Sequence, residues 1–497
     1  MRLTKLIEAI GLPVENITGD PDILGITEDS RRVESGFLFV AISGVRFDGI
    51  NYLQEAVRRG ASAVLIEEGK TCKAPGVTVV STSRDLRHSY SLLAAQLYDM
   101  QPKSVVAVTG TNGKTSVVSF LRQIWSFNGI QAASLGTLGL EAPAIKHHDW
   151  PAELSKLTTP EPVLLHQTLE KLASYGVERV ALEASSHGLD QYRLHGVKVT
   201  AAGFTNLSRD HMDYHDSMTS YLESKLRLFN EVMAPGGVAV LNRGSSVFND
   251  VARACENRGH DILHYGSSRT GRLAGAINLL KIDVRSGGVV LTLEFETKVE
   301  EVFVPLAGYF QAENVLCALG LAMASDISFE SAVSALPTLA PARGRMELVG
   351  YSENGAAIAI DYAHSPDALK NALAALRQHC DGRLVLVFGC GGDRDQGKRE
   401  EMGKIAFDLA DTILVTDDNP RTENPAAIRR DVIKGCPEAL EIPNREEAIQ
   451  MAIGMLCDGD LLLVAGKGHE SYQIVGGEQL EHSDFDVVRR VIKNGPQ

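Results

Sequence analysis

Apolar residues along this chain recur in two periods, and the switches between them lay out its elements. Residues 104–109 (SVVAVT) form a short β-branched run, in which Val105, Val106 and Val108 predict a buried strand. A glycine-bracketed turn follows. Val117, Leu121, Ile124 and Trp125 then repeat at helical spacing until Asn128-Gly129 stops the helix. Ahead of this unit, residues 1–102 carry short strands at 36–42, 63–66 and 78–80 and a helix over 84–98. Asp99-Met100-Gln101-Pro102 reads as a linker. Between 103 and 338 further strands are expected at 179–183 and 238–241, with a β-rich stretch at 277–304 and a helix at 313–324. A second boundary falls in Leu336-Pro337-Thr338-Leu339-Ala340-Pro341. From 339 to 497, strands at 356–360, 384–388, 412–416 and 461–465 alternate with helices near 366–378, 398–410, 425–434 and 445–457. That alternation predicts a parallel sheet covered on both faces. The expected fold is α/β in three domains: 1–102, 103–338 with a mainly parallel sheet, and 339–497, doubly wound.

Composition narrows the class of protein. A chain of 497 residues is too long for one core. Its 44% hydrophobic and 23% charged residues are those of an ordinary globular protein. The net charge of −14 excludes a general nucleic-acid binder, so anionic ligands need local clusters of Arg, Lys and backbone N–H. Seven cysteines, odd in number and without a C-x-x-C, predict free thiols in a reducing compartment and no structural zinc. MRLTKLIEAIG is an amphipathic helix without the apolar core of a signal peptide, and no apolar run approaches the roughly 20 residues of a membrane span. The protein is expected to be cytoplasmic, without membrane insertion, and monomeric.

The turn between strand and helix carries the first chemistry. In TGTNGKTS, Gly110 and Gly113 let the backbone approach an anion, with Thr111, Asn112 and Ser116 in the same cradle. Lys114 supplies a point charge for outer phosphates and Thr115 a hydroxyl for Mg²⁺. The loop departs from the pattern G-x-x-x-x-G-K-[ST], because Val108 stands where the first glycine belongs. Its alternative reading is a chance Gly-rich turn. Glu183 ends an apolar strand, where a buried carboxylate is costly unless it faces a cation. Asp210 and His211 follow another strand; His211 suits a metal site or a satisfied structural role. Lys225, on a predicted helix, reads by itself as a solvated lysine. His147 and His148 read as loop residues.

Eight segments in order then give a resemblance: TGTNGKTS, TTPE (158–161), EASSHGLDQYR (183–193), DHMDYH, the Lys225 context, ENVLCAL (313–319), PARGRME (341–347) and DYAHSP (361–366). Together they resemble the Mur ligases, ATP-dependent amide-forming enzymes of peptidoglycan precursor synthesis. The similarity spans essentially the whole chain. The N-terminal EDSRRVESGFLFVAISG is similar to the branch that adds the third amino acid to UDP-N-acetylmuramoyl-L-alanyl-D-glutamate. The resemblance implies an N-terminal UDP-binding domain, a central P-loop ATPase domain and a Rossmann-like C-terminal domain. It also implies that the loop around Lys114 holds ATP phosphates, with Thr115 and Glu183 on Mg²⁺ and His211 a further contact of the metal site. Lys225 matches a lysine carbamylated by CO₂ in that family, which turns a repelling ammonium into an anion able to face a metal. Asn314, Arg345 and Asp361 match positions around the nucleotide, with His364 beside them. Ser30, Thr158, Thr159, Ser185, Gln191 and Arg193 match contacts to the UDP-sugar-dipeptide.

Three C-terminal loops bear on the incoming amino acid: GCGGDRD (389–395), DDNPRTENP (417–425) and GKGHE (466–470). They leave predicted strand ends, where ligands of parallel sheets gather. Arg394 and Arg421, beside Asp418, Asn419 and Pro420, are planar cations for a carboxylate, and Glu470, near Gly466, is an anion for an ammonium. meso-Diaminopimelate has both a distal carboxylate and a distal amine; L-lysine lacks the carboxylate. The competing reading pairs Arg421 with Asp417 or Asp418. Wider alternatives are a lysine-adding ligase, a folylpolyglutamate synthase, and a P-loop NTPase switch whose C-terminal domain binds a partner.

Overall fold

The computed structural model describes residues 1–14, 17, 19–44, 48–72, 74–145, 150–268 and 271–494; His147 and His148 lie outside the described residues. The described residues form three sheets in succession, plus a small hairpin at Tyr472–Val475 and Glu478–Glu481. The first sheet has four parallel strands in chain order: Gly25–Thr27, Phe37–Val40, Ala63–Glu67 and Thr78–Thr82. The helix Leu86–Leu97 packs on it through Leu86, Tyr90 and Leu93, and the Asp85 carboxylate caps its start by accepting from the His88 N–H.

The central sheet has ten strands. Ser104–Thr109 lies in its middle, between Arg179–Glu183 and Val199–Phe204, and is parallel to both. Antiparallel strands close the two ends, Gly139–Glu141 on one side and the Gly288–Phe295 and Lys298–Val304 pair on the other. Burial on both faces explains the unbroken β-branched run. Val106 and Val108 pack with Val117, Leu121, Ile124 and Trp125 on one side, while Val105 and Ala107 pack with Leu165, Leu169 and Phe204 on the other. The buried Trp125 indole keeps a polar partner by donating to Ser325 Oγ at 2.9 Å.

Two expectations are corrected here. The strand expected at 238–241 begins at Met233, with a register shift between Met233 and Val238 that absorbs Pro235-Gly236-Gly237. The helix expected at 313–324 begins at Tyr309, directly after Gly308 at φ 93°. Ala132–Gly136 is a further buried strand; AASLG carries little β propensity and pairs because both faces are covered.

In the third sheet Ala357–Asp361, Leu461–Ala465, Leu384–Phe388, Thr412–Val415 and Leu440–Glu441 run parallel in that spatial order, with Glu347–Tyr351 antiparallel at one edge. Leu461–Ala465, late in the chain, inserts between two earlier strands. The order therefore reverses there, and a crevice opens beyond the carboxyl ends. Among the described residues, no helix is long and apolar enough to cross a membrane, and all seven cysteines are free.

Behind that crevice Arg445 and Asp484 form a fully buried bidentate pair, Nε to Oδ1 at 2.8 Å and Nη2 to Oδ2 at 2.7 Å. Burial alone would raise the Asp484 pKa, but Arg445 and His482 hold it well below the usual carboxylate range. The group is depressed in the folded state, so its contribution is present above the unfolded pKa of about 3.9 and is lost as pH falls through the folded one. Asp484→Asn leaves a buried guanidinium without its counter-charge. It is expected to cost about 3–5 kcal/mol of unfolding free energy, read from urea denaturation at neutral pH.

Candidate active site

The phosphate loop is shaped as its glycines predict. Gly110 and Gly113 both take positive φ, 139° and 89°, and a Cβ on either would lie 1.9 Å from Thr205 Oγ1 or 2.2 Å from Asn314 Oδ1. Gly113 precedes the helix Lys114–Phe127, whose first N–H groups point at the cradle. Thr111 and Asn112 fix the loop to the next strand end: the Ser208 N–H donates to Thr111 Oγ1 at 3.0 Å, and the Asn112 N–H to Asn206 Oδ1 at 3.0 Å. Lys114 Nζ folds back on the loop, donating to the carbonyls of Gly110 (2.9 Å) and Thr111 (2.7 Å). Burial lowers the Lys114 pKa from its ordinary value.

The third domain closes over this loop. Arg345 Nη2 donates to Thr115 Oγ1 at 3.0 Å, and Asn112 Nδ2 to Asp367 Oδ2 at 2.9 Å. Asp361 accepts from the N–H groups of Met346 and Ala363 at 2.7 and 2.8 Å, which fixes the strand end next to Arg345. Between the two domains lies a cleft lined by Gly113, Ser116, Asn314, Arg345, Asp361 and His364 among others. Arg345 Nε is buried there without a hydrogen-bond partner among the described residues. A glycine cradle that a Cβ would fill and an orphan guanidinium N–H suit a nucleotide polyphosphate.

Glu183 is 2% exposed. It accepts from Thr115 Oγ1 (3.1 Å), the Thr137 N–H (2.8 Å) and Thr137 Oγ1 (3.1 Å) and, among the described residues, has no ion-pair partner. A buried carboxylate beside a threonine hydroxyl is an oxygen donor set that fits Mg²⁺. Lys225 is not the solvated lysine that it reads as in isolation: it is 1% exposed. Its Nζ donates to Gly110 O at 2.8 Å and sits 4.2 Å above the Tyr221 ring. Burial, reinforced by Lys114, drives its pKa well below the ordinary value. His211 stands edge-on to His187, ring centres 4.9 Å apart, and burial lowers its pKa to about 3, so the imidazole is neutral. Among the described residues, no three His, Cys, Asp or Glu side chains converge as a ready metal cage.

The matched sugar-peptide residues divide. Ser30 lines a cleft of the N-terminal domain and donates to Glu55 Oε2 at 2.8 Å. Thr158 lines another cleft with Thr137, Tyr362, His469 and Glu470. Thr159 is 1% exposed, with its hydroxyl donating to Glu183 O and accepting from the Ser185 N–H. Ser185 caps the helix Ser186–Asp190. Arg193 holds Thr159 O and Gln191 Oε1 at 2.8 and 2.6 Å. In this structure these four brace one another around the Glu183 strand end.

All three C-terminal loops converge. Arg394, Asp418, Asn419, Arg421, Gly466 and Glu470 line one cleft together with His364 of the same domain, and Asp210, His211 and Asp213 border it from across the domain junction. Arg421, at φ 53°, does not pair with Asp417 or Asp418; Nη1 donates to Gly392 O at 2.7 Å, and Asp417 is taken by Arg429. Pro420 lies behind, its carbonyl facing Gly392 so closely that a Cβ there would clash at 2.0 Å. One expectation needs amending. Glu470 is not a free anion, because the fully buried Lys467 donates to its Oε2 at 2.9 Å, as does Asn419 Nδ2. Lys467 sits inside the GKGHE motif, yet nothing local marks it as buried. Arg394 reaches Asp213 at 3.4 Å, and Arg209 grips Asp395 at 2.9 and 3.2 Å, so two adjacent loops exchange charges across the junction.

A phosphate loop flanked by an N-terminal cleft and by a charged cleft at a sheet's switch point defines a nucleotide-dependent enzyme that unites separately bound substrates. Three family models match in succession: Mur ligase family, catalytic domain (22–104), Mur ligase middle domain (108–322) and Mur ligase, glutamate ligase domain (344–468). The chain belongs to the Mur ligase family. It is 46% identical over 478 residues, 96% of each chain, to a UDP-N-acetylmuramoyl-L-alanyl-D-glutamate–2,6-diaminopimelate ligase of Chelativorans sp. (strain BNC1). To the protein of the same description from Rhizobium meliloti (strain 1021) it is 47% identical over 471 residues, 95% of this chain and 94% of that one. A solved structure described as UDP-N-acetylmuramoyl-L-alanyl-D-glutamate–2,6-diaminopimelate ligase superposes with a TM-score of 0.65 at 32% identity, covering 95% of both chains.

Proposed function

We propose that the protein joins meso-2,6-diaminopimelate to the D-glutamate γ-carboxylate of UDP-N-acetylmuramoyl-L-alanyl-D-glutamate at the expense of ATP. The carrying observation is that Arg394, Arg421 and the Lys467-paired Glu470 share one cleft that abuts the phosphate-loop domain. Segment 1–102 takes the UDP end around Ser30, 103–338 takes ATP at Gly110–Ser116, Asn314, Arg345 and Asp361, and 339–497 takes the amino acid. Thr158 and the network of Thr159, Ser185, Gln191 and Arg193 line the route of the peptide between them.

A carboxylate cannot be attacked by an amine, because oxide is not a leaving group. The γ-phosphoryl group of ATP therefore moves to the glutamate carboxylate, giving an acyl phosphate and ADP. The amine attacks the carbonyl carbon, the C–N bond forms, and phosphate departs. Lys114 leaves the loop carbonyls to offset charge on the transferring phosphoryl group. Thr115 and Glu183, with His211 and a carbamate on Lys225, would hold Mg²⁺, which when bound neutralises phosphate charge. Lys225 is suited to that modification because its burial favours the neutral amine: the nitrogen adds to CO₂, a C–N bond forms, and a proton is released. Binding and orientation of three substrates do the rest.

Omission of each substrate in turn tests this reading. ADP release is expected to depend on the muramoyl dipeptide and to reach full turnover only when diaminopimelate is present. Steady ATP hydrolysis without the dipeptide would instead identify an NTPase switch.

A further inference from the structure

An amino group arrives as an ammonium and can attack only after losing a proton. We propose that His364 Nε2 takes that proton, as the base for the incoming amine; this rests on the acyl-phosphate reading above. His364 lies on the short loop between the strand Ala357–Asp361 and the helix Pro366–Arg377. Of the residues lining the nucleotide cleft and the amino-acid cleft, Tyr362 and His364 are common to both. That wall is where an amine held in one cleft meets a carbonyl activated from the other. The imidazole is 36% exposed, so a ligand can reach it.

Its tautomer is fixed by geometry. Nδ1 lies 2.8 Å from Tyr362 O; a carbonyl only accepts, so Nδ1 carries the hydrogen and Nε2 keeps its lone pair. The ring is held edge-on to Tyr362, centres 4.6 Å apart, and Lys398 Nζ donates to His364 O at 2.7 Å. Asp210 Oδ2 stands 3.7 Å from Nε2, too far for a hydrogen bond with the neutral ring but close enough to stabilise the imidazolium that forms on proton uptake. Three of the cleft's other carboxylates are engaged: Asp213 with Arg394, Asp395 with Arg209, and Glu470 with Lys467. Tyr362, the other shared residue, is kept protonated by burial and by Glu470.

The step balances without a further reactant. The ammonium gives one proton to Nε2, and the nitrogen lone pair forms the C–N bond. The nitrogen loses its second proton as the C–O bond to phosphate breaks. One of the two protons leaves on hydrogen phosphate and the other returns to solvent, restoring neutral His364.

His364→Gln keeps a side-chain N–H for Tyr362 O but offers no base. Two rates are measured with the dipeptide and ATP: amide formation with diaminopimelate, and hydroxamate formation with hydroxylamine. Hydroxylamine is neutral near pH 7 and captures an acyl phosphate without a base. The expected result is a fall of about 100-fold or more in kcat for the amide, with the KM for diaminopimelate and the hydroxamate rate little changed. A parallel fall in both rates, or no fall in either, would overturn the proposal. His364→Ala is expected to show the same split, which separates the base from the hydrogen bond to Tyr362. A wild-type protein that yields neither product would refute the ligase reading instead.

Discussion

Lys225→Ala is expected to lower both amide and hydroxamate formation by about 1,000-fold while leaving the fold intact. The magnitude is that of losing one preorganised group that stabilises charge in the transition state. Lys225 Nζ is buried between Gly110 O and the Tyr221 ring, and the charge of Lys114 acts on it. An ammonium there would repel both Lys114 and a metal. A neutral amine is tolerated, and its carbamate would reverse the sign of the local charge. The effect should appear in the first half-reaction, which distinguishes it from His364, whose loss spares acyl-phosphate capture. Full activity of the variant in bicarbonate-free buffer would remove Lys225 from the mechanism.

Arg421→Ala is expected to raise the KM for diaminopimelate roughly 100-fold, or about 3 kcal/mol, with the KM for ATP changed only a few-fold. Arg421 is positioned before any ligand arrives. Its backbone takes φ 53°, its N–H donates to Ile474 O, and Nη1 is anchored on Gly392 O, leaving the rest of the guanidinium to face the cleft. A fork held this way matches a carboxylate and gains nothing from lysine, whose distal end carries no anion. The variant should therefore narrow the preference for diaminopimelate over lysine, measured as a ratio of kcat/KM values. Equal effects on ATP and diaminopimelate would assign Arg421 to scaffold rather than recognition.

Much of this was legible locally. The strands Leu384–Phe388 and Leu461–Ala465 begin and end where their apolar runs do, because both faces are buried and nothing polar intrudes. The glycines of the phosphate loop and the three strand-end loops were visible for the same reason: a backbone requirement leaves a local mark. What escaped depends on distant partners. Thr115 meets Arg345 across 230 residues and Asn112 meets Asp367 across 255, and neither pairing has a period or spacing. Lys467 resembles a loop lysine until Glu470 and Asn419 are seen around it. The family resemblance puts His364 beside the nucleotide. That it also lines the amino-acid cleft follows from the strand order of the third sheet, which brings the ends of Ala357–Asp361, Leu461–Ala465 and Leu384–Phe388 side by side.

The missing glycine at Val108 now has a physical reading. That residue is 0% exposed in the central strand, parallel to Glu183, so the strand runs on into the loop and Gly110 supplies the turn instead.

The most direct measurement is the mass and stoichiometry of the product made from UDP-N-acetylmuramoyl-L-alanyl-D-glutamate, ATP and an equimolar mixture of diaminopimelate and lysine. The account predicts the diaminopimelate-containing tripeptide as the dominant product, with one ADP released per amide formed. Predominant lysine incorporation, or ADP release without a matching amide, would contradict it.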